Sequence, residues 1–262
     1  MARFATLVDE LRAESQLRPP FDPDGPRRSG ELMLSSGDNF LAGPEFRARL
    51  DKGVPYCDSI AMRLIGYDAS AIGNHEFDFG PDVLAAFIAG FGGETPFVSA
   101  NLDVSAEPSL ARLEEMDILV ARTIVRTQGD RVGIVGATTP ELASISSPRD
   151  VEVFDDVQGL VQRQVDALTR LKVNKIILVS HLQDINEERA LVTGLCDVDV
   201  VIAGGGSELL ANEEDLLVPG DERSIDPNTG LPERTDHRRA VPGGWGGPDR
   251  RELRPPQATL PR

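Results

Sequence analysis

Lysine, cysteine, tryptophan and histidine are all scarce in this 262-residue chain, which holds three lysines, two cysteines, one tryptophan and three histidines. Two cysteines, Cys57 and Cys196, in no Cys-x-x-Cys pair, exclude a disulfide framework. Both are expected as small buried apolar groups. No apolar run approaches the roughly 20 residues that cross a bilayer. The N-terminus has no basic stretch followed by an apolar one, so the chain as written reads as cytoplasmic, with no membrane partner. Positive charge is short as well: 27 Lys and Arg stand against 43 Asp and Glu, a formal net charge of −16. Such a surface repels phosphate backbones and argues against nucleic acid as a partner.

What is present is ordinary for a globular protein, with 40% hydrophobic and 27% charged residues and enough length for a sizeable core. Phe4, Leu7, Val8 and Leu11 recur at helical spacing and predict an amphipathic helix. Only Met1, Ala2 and Arg3 precede it, as if a domain were entered late. Residues 17–30, rich in Pro, Arg and Gly, read as a loop. Short strands are expected at Leu32–Leu34, Ala69–Ile72 and Phe97–Ala100, and a hairpin from Ile118–Thr127 to Arg131–Val135. Helices are expected over Asp58–Gly66, from Pro81, over Val157–Leu171 and over Asn186–Leu195. Lys175–Ser180 and Asp199–Ala203 read as buried strands. Strands alternating with helices imply an α/β core covered on both faces. We expect one domain over residues 1–232. Residues 233–262, rich in Pro and Gly and with seven Arg from position 234 onward, are expected to form a disordered basic tail.

Three of the predicted strand ends carry chemistry. Asp38 follows the first strand, Gly73-Asn74-His75-Glu76-Phe77-Asp78-Phe79-Gly80 follows the second, and His181 immediately follows the strand Lys175–Ser180. In α/β sheets, ligands gather at strand ends. A carboxylate, an amide and imidazoles suit a borderline divalent ion such as Mn, Zn or Fe. Taken alone, a histidine after a strand and a Gly-Asp turn are common structural features.

The eight-residue string decides between these readings. With Gly37-Asp38-Asn39 before it and Ser180-His181-Leu182 after it, the chain resembles the calcineurin-like metallophosphoesterases, in their 5'-nucleotidase branch. Phe97–Asn101 and Val132–Pro140 also resemble that branch. The resemblance covers roughly residues 1–232 and implies a four-layer α-β-β-α sandwich, here lacking its first strand. It implies that Asp38 bridges two metal ions and that Asn74 and His181 ligate the second. It further implies that His75 contacts the phosphate and that Asp78 orients His75. Glu76 reads as a structural hydrogen-bonder.

The chain departs from the family pattern at two motifs. The family's Asp-x-His has no counterpart before Ala2. Its Gly-His-x-His is replaced by Gly204-Gly205-Gly206-Ser207, with Glu208 next. One divalent ion is therefore expected where the family holds two, with Glu208 or Asp184 as candidate replacement ligands. The implied activity is hydrolysis of phosphate monoesters of nucleotides, small-molecule substrates, and it is expected to be impaired. A non-catalytic fragment or interaction module with one weak metal site is the alternative. A Rossmann-like nucleotide binder using Gly204–Gly206 is weaker still, because Leu209 breaks the glycine pattern. The sequence carries no signal for oligomeric state.

Overall fold

The computed structural model describes residues 2–17, 30–52, 56–211, 217, 220 and 222–225. The expected tail at 233–262 lies outside the described residues. In chain order the elements are α1 (Ala2–Leu17), β1 (Leu34–Ser35), α2 (Pro44–Lys52), α3 (Cys57–Ile65), β2 (Ala69–Ala71), α4 (Pro81–Ala89), β3 (Phe97–Val98), β4 (Leu102–Asp103), α5 (Pro108–Glu115) and β5 (Leu119–Val120). They continue with β6 (Arg122–Thr127), β7 (Asp130–Thr138), α6 (Leu142–Ile145), β8 (Glu152–Val153), α7 (Val157–Arg170), β9 (Ile176–His181), α8 (Ile185–Thr193) and β10 (Val200–Gly204). A single 3-10 turn spans His75–Phe77.

Two four-stranded sheets form the centre, in the orders β1-β2-β3-β5 and β10-β9-β7-β6. The first is parallel throughout. The second is parallel except for the β6–β7 hairpin. Residues alternate between faces along each strand, so each sheet buries both. Ala69, Ala71 and Val98 meet Val132, Ile134 and Val179 between the sheets. The outer face of the first sheet packs Phe97 and Leu119 on Phe87, Leu84 and Leu110 of α4 and α5. The outer face of the second packs Val135, Ala137, Ile176 and Leu178 on Val161, Val165 and Leu168 of α7 and Leu191 of α8. This is the expected α-β-β-α order of layers. Among the described residues no strand precedes β1.

The sheets approach closely at Gly136, where a Cβ would lie 2.0 Å from the Val98 carbonyl oxygen. The Ala100 amide donates to the Gly136 carbonyl at 2.9 Å. Beside it, Asn101 Nδ2 donates to the Thr138 carbonyl at 2.7 Å and Thr138 N donates to Asn101 Oδ1 at 2.9 Å. These bonds strap the two sheets together next to the strand ends.

Several expectations are corrected. The hairpin exists, but Leu119–Val120 belongs to the first sheet and Arg122–Thr127 to the second, so the chain changes sheets at Ala121. Asp199–Ala203 is not a buried strand: β10 is an edge strand with Val200 48% exposed. Both cysteines are exposed. Cys57 starts α3, and Cys196 sits in the turn before β10, where Gln162 Oε1 accepts its amide N–H at 2.8 Å. The apolar stripe of α1 is only partly used, since Val8 is buried while Phe4, Leu7 and Leu11 are exposed. No helix among the described residues is long and apolar enough to cross a membrane.

Candidate active site

Alternation along β9 sends Ile176 and Leu178 toward α7 and Ile177 and Val179 toward the first sheet. His181, two residues beyond Val179, therefore lands on the inter-sheet side at the strand's C-terminal end. The loop after β1 brings Asp38 to the same corner, and the loop after β2 brings Asn74. His181 Nε2 lies 3.2 Å from Asp38 Oδ2 and 3.1 Å from Asn74 Oδ1. The three residues named from sequence as metal ligands thus converge on one ring nitrogen.

The approach is tight. A Cβ at Gly73 would sit 2.3 Å from Asp38 Oδ1 and 2.7 Å from His181 Cε1, so only glycine lets the β2 loop pass. Asp38 itself is in the left-handed region with φ 54°, which aspartate tolerates better than most residues. Glu76 holds this conformation. It is fully buried, and its carboxylate accepts from Asp38 N at 2.8 Å, Gly73 N at 2.7 Å, Asn39 N at 2.6 Å and Asn39 Nδ2 at 3.0 Å. Glu76 is a hydrogen-bonded clamp on two loops, as its reading from sequence expected.

The donor set fits a cation. His181 Nδ1 faces the Ser36 carbonyl at 2.7 Å and donates to it, so the neutral ring presents a lone pair at Nε2. That lone pair meets two further acceptors, Asp38 Oδ2 and Asn74 Oδ1. Without a cation, a proton fills the position. Burial works against the charged ring, but the Asp38 hydrogen bond and charge, the Ser36 carbonyl and the Glu76 charge together raise the His181 pKa. Burial likewise works against the Asp38 carboxylate and is outweighed by the hydrogen bond and charge of His181 and by the backbone N–H and charge of His75, so its pKa is lowered. Among the described residues no group of three or more His, Cys, Asp or Glu could hold a metal. The third donor at this corner is the Asn74 amide.

Neither proposed replacement ligand reaches the corner. Asp184 caps α8, accepting from Asn186 N at 2.7 Å. Glu208 lies over Gly206, lining a small cavity with Ile185, Glu188 and Leu210. Position 205 does border the corner, but glycine offers no ligand there, and Ser207 is exposed.

His75 stands beside this corner. Its backbone N–H donates to Asp38 Oδ1 at 3.0 Å, and its Nδ1 pairs with Asp78 Oδ2 at 2.7 Å across the 3-10 turn. The His75 side chain is 39% exposed and that of Asp78 13%. Desolvation lowers the His75 pKa, but the Asp78 hydrogen bond and the charges of Asp38, Asp78 and Glu76 outweigh it, so the net shift is upward. Ser146 Oγ donates to the other oxygen of Asp78 at 3.3 Å. Sequence reasoning named His75 and Asp78 but missed Ser146, the Ser36 carbonyl and Gln183, whose Nε2 donates to Asn74 Oδ1 at 2.6 Å. Gln183, two residues after His181, and Ser36, two before Asp38, lie near named residues in sequence, whereas Ser146 does not.

Behind His181, Glu188 of α8 is buried and accepts from Ser180 Oγ at 3.0 Å and Leu182 N at 3.3 Å. Burial raises its pKa above the ordinary 4.5, against the Ser180 and Leu182 hydrogen bonds. The native state then holds this proton more tightly than the unfolded chain. The carboxyl's contribution to stability is complete below 4.5 and is lost as pH rises through the folded pKa. In Glu188→Gln, the unfolding temperature relative to wild type is expected to be about 2–4 °C more favourable near neutral pH than at acid pH. A difference independent of pH in thermal melts would contradict this.

No protein-family model matches the chain. It is 31% identical over 248 residues to the trifunctional nucleotide phosphoesterase protein YfkN of Bacillus subtilis, covering 83% of this chain and 16% of that protein. It is 34% identical over 210 residues to mouse 5'-nucleotidase, covering 80% of this chain and 33% of that enzyme. A crystal structure of a 5'-nucleotidase precursor from Thermus thermophilus superposes with TM-score 0.66 at 33% identity, over 80% of this chain and 36% of that one. The chain therefore spans a sixth to about a third of the length of these relatives. With two sheets between helices, and with these relatives matching about four-fifths of it, the chain belongs to the calcineurin-like phosphoesterases, a divalent-metal-dependent family. Within it, the relatives set the chain on the 5'-nucleotidase branch.

Proposed function

We propose that this chain is a metal-dependent phosphoesterase domain acting on phosphate monoesters of nucleotides. The observation that carries this reading is the meeting of Asp38, Asn74 and His181 around one nitrogen, with the His75–Asp78 pair beside it. Asp38, Asn74 and His181 would hold one divalent ion. When bound there, such an ion supplies Lewis acidity and charge neutralisation toward a phosphoryl oxygen. Asp78 accepts the Nδ1 proton of His75 and fixes the ring's tautomer and orientation. The raised pKa keeps His75 cationic closer to neutral pH, so its Nε2–H can donate to an oxygen gaining negative charge. Glu76 keeps the Asp38 and Gly73 loops in register with the ring. Nucleotide substrates are supported by the names of the relatives, and the substrate class remains part of this proposal.

The test is phosphate release from a nucleoside monophosphate and from a simple aryl phosphate with Mn²⁺ present. Turnover is expected to be slow, to stop with a chelator, and to fall about 100-fold or more in His75→Ala, with Mn²⁺ still bound. Turnover indifferent to the chelator or to His75→Ala would overturn the reading. A second reading, a one-ion domain without catalysis, is favoured by the small donor set at this corner, one carboxylate, one amide and one imidazole. Tight Mn²⁺ binding with no turnover on either substrate selects it.

A further inference from the structure

Gln183 is in the left-handed backbone region with φ 85°, a conformation that is unfavourable for a side chain of this kind. The turn follows directly on His181 and brings Gln183 Nε2 to 2.6 Å from Asn74 Oδ1. That oxygen is the same atom that lies 3.1 Å from His181 Nε2, and Asn74 is buried. A primary amide can present either its oxygen or its NH₂ to a neighbour. With the Gln183 N–H donating to it, the Asn74 oxygen is kept at the corner. A rotated Asn74 would set NH₂ against NH₂.

The surrounding backbone is shaped for this turn. Gly205 has φ 91°, and a Cβ there would lie 2.9 Å from His181 Nε2 and 3.0 Å from Gln183 N. A Cβ at Gly206 would lie 3.5 Å from the Gln183 carbonyl oxygen. The absence of a side chain at 205 leaves the room that the turn at 183 occupies. The chemistry at 183 is also selective. A carboxylate would oppose acceptor to acceptor at Asn74 Oδ1, and an ammonium would place a competing positive charge beside the cation's position.

We infer that Gln183 is a positioning residue for the metal corner, one that holds the Asn74 side-chain oxygen toward the ion. This rests on reading Asp38, Asn74 and His181 as the ligands. The test compares Gln183→Leu, which keeps bulk but loses the donor, and Gln183→Gly, which also releases the backbone, with His181→Ala, all in the full chain. Mn²⁺ affinity is measured by calorimetry, and unfolding temperature is measured separately in chelator. Both Gln183 variants are expected to bind Mn²⁺ about 10–100-fold more weakly. The unfolding temperature of Gln183→Gly without metal is expected to hold or rise, since glycine adopts this φ freely. Wild-type affinity in both Gln183 variants, with binding lost in His181→Ala, overturns the positioning role and leaves the metal corner standing. Wild-type affinity in His181→Ala overturns the corner itself. A Gln183→Gly variant that loses affinity and metal-free stability together assigns Gln183 a merely structural role and also overturns the inference.

Discussion

His181→Ala is expected to weaken Mn²⁺ binding by more than the roughly 10–100-fold that loss of an outer partner costs, to the point that calorimetry no longer resolves a specific site. Among the described residues the ring contributes the corner's one nitrogen ligand atom and sits at its centre, 3.2 Å from Asp38 Oδ2 and 3.1 Å from Asn74 Oδ1. Alanine leaves one carboxylate and one amide oxygen, a set that suits hard ions with several retained waters better than Mn or Zn. It also frees the Ser36 carbonyl, which the ring now ties to β9 at 2.7 Å, so Asp38 loses a fixed distance to its neighbours. Wild-type protein is expected to titrate to one ion per chain. Two tight ions would show that a second ligand set exists, and unchanged affinity in His181→Ala would move the ion elsewhere on the acidic surface.

Glu76→Ala is expected to be the most destabilising single substitution near the site. Its carboxylate satisfies the backbone N–H groups of Gly73, Asp38 and Asn39 and the side chain of Asn39. Removing it strands three backbone donors at about 1–3 kcal/mol each where water cannot replace it, for a loss of roughly 3–9 kcal/mol. That is a large share of the roughly 5–15 kcal/mol that holds a typical domain. Glu76→Gln keeps the shape and one acceptor but turns an NH₂ toward N–H donors, so its loss is intermediate. Denaturant titration of metal-free protein measures both. A Glu76→Ala variant within about 0.5 kcal/mol of wild type, the range of ordinary surface changes, would show that the loops do not depend on the clamp. Mn²⁺ affinity is expected to fall less than in His181→Ala, because Glu76 holds the loops of the proposed ligands Asp38 and Asn74 and is not itself one of them.

Much of this arrangement is legible in the sequence where the signal is local. The pair His75 and Asp78 sits within one turn, and of Leu160, Val161, Val165 and Leu168 at helical spacing in α7 the last three are buried, while Val157 is buried and Leu160 only half-buried. Elements with little apolar content escape this kind of reading. In α2 only Phe46 is buried, and in α5 only Leu110 and Leu113. The stripe of α1 misleads in the opposite sense, because periodicity reports a face and not what covers it. The crossing at Ala121 is invisible because Leu119–Val120 and Arg122–Thr127 read as one continuous strand. Contacts such as Ser36 with His181, 145 residues apart, or Gln183 with Asn74, 109 apart, depend on register and loop path, which no local pattern encodes. The exposed cysteines show how a statistical tendency yields to position: Cys57 opens α3, and Cys196 lies in the connection between α8 and β10.

Asp38 and Asn74 follow strands of the first sheet, and His181 ends a strand of the second. Of the pairings within the two sheets, only the β6–β7 hairpin joins neighbours in sequence through a tight turn, and the rest are parallel pairings between distant segments. Non-local pairings close late in folding, after their loop entropy has been met. The corner is therefore assembled only when both sheets have formed and docked, and an ion held there binds none of the earlier states. By mass action it stabilises the docked form alone, by about 2.7 kcal/mol at a hundred times its dissociation constant and about 1.4 kcal/mol more for each further tenfold.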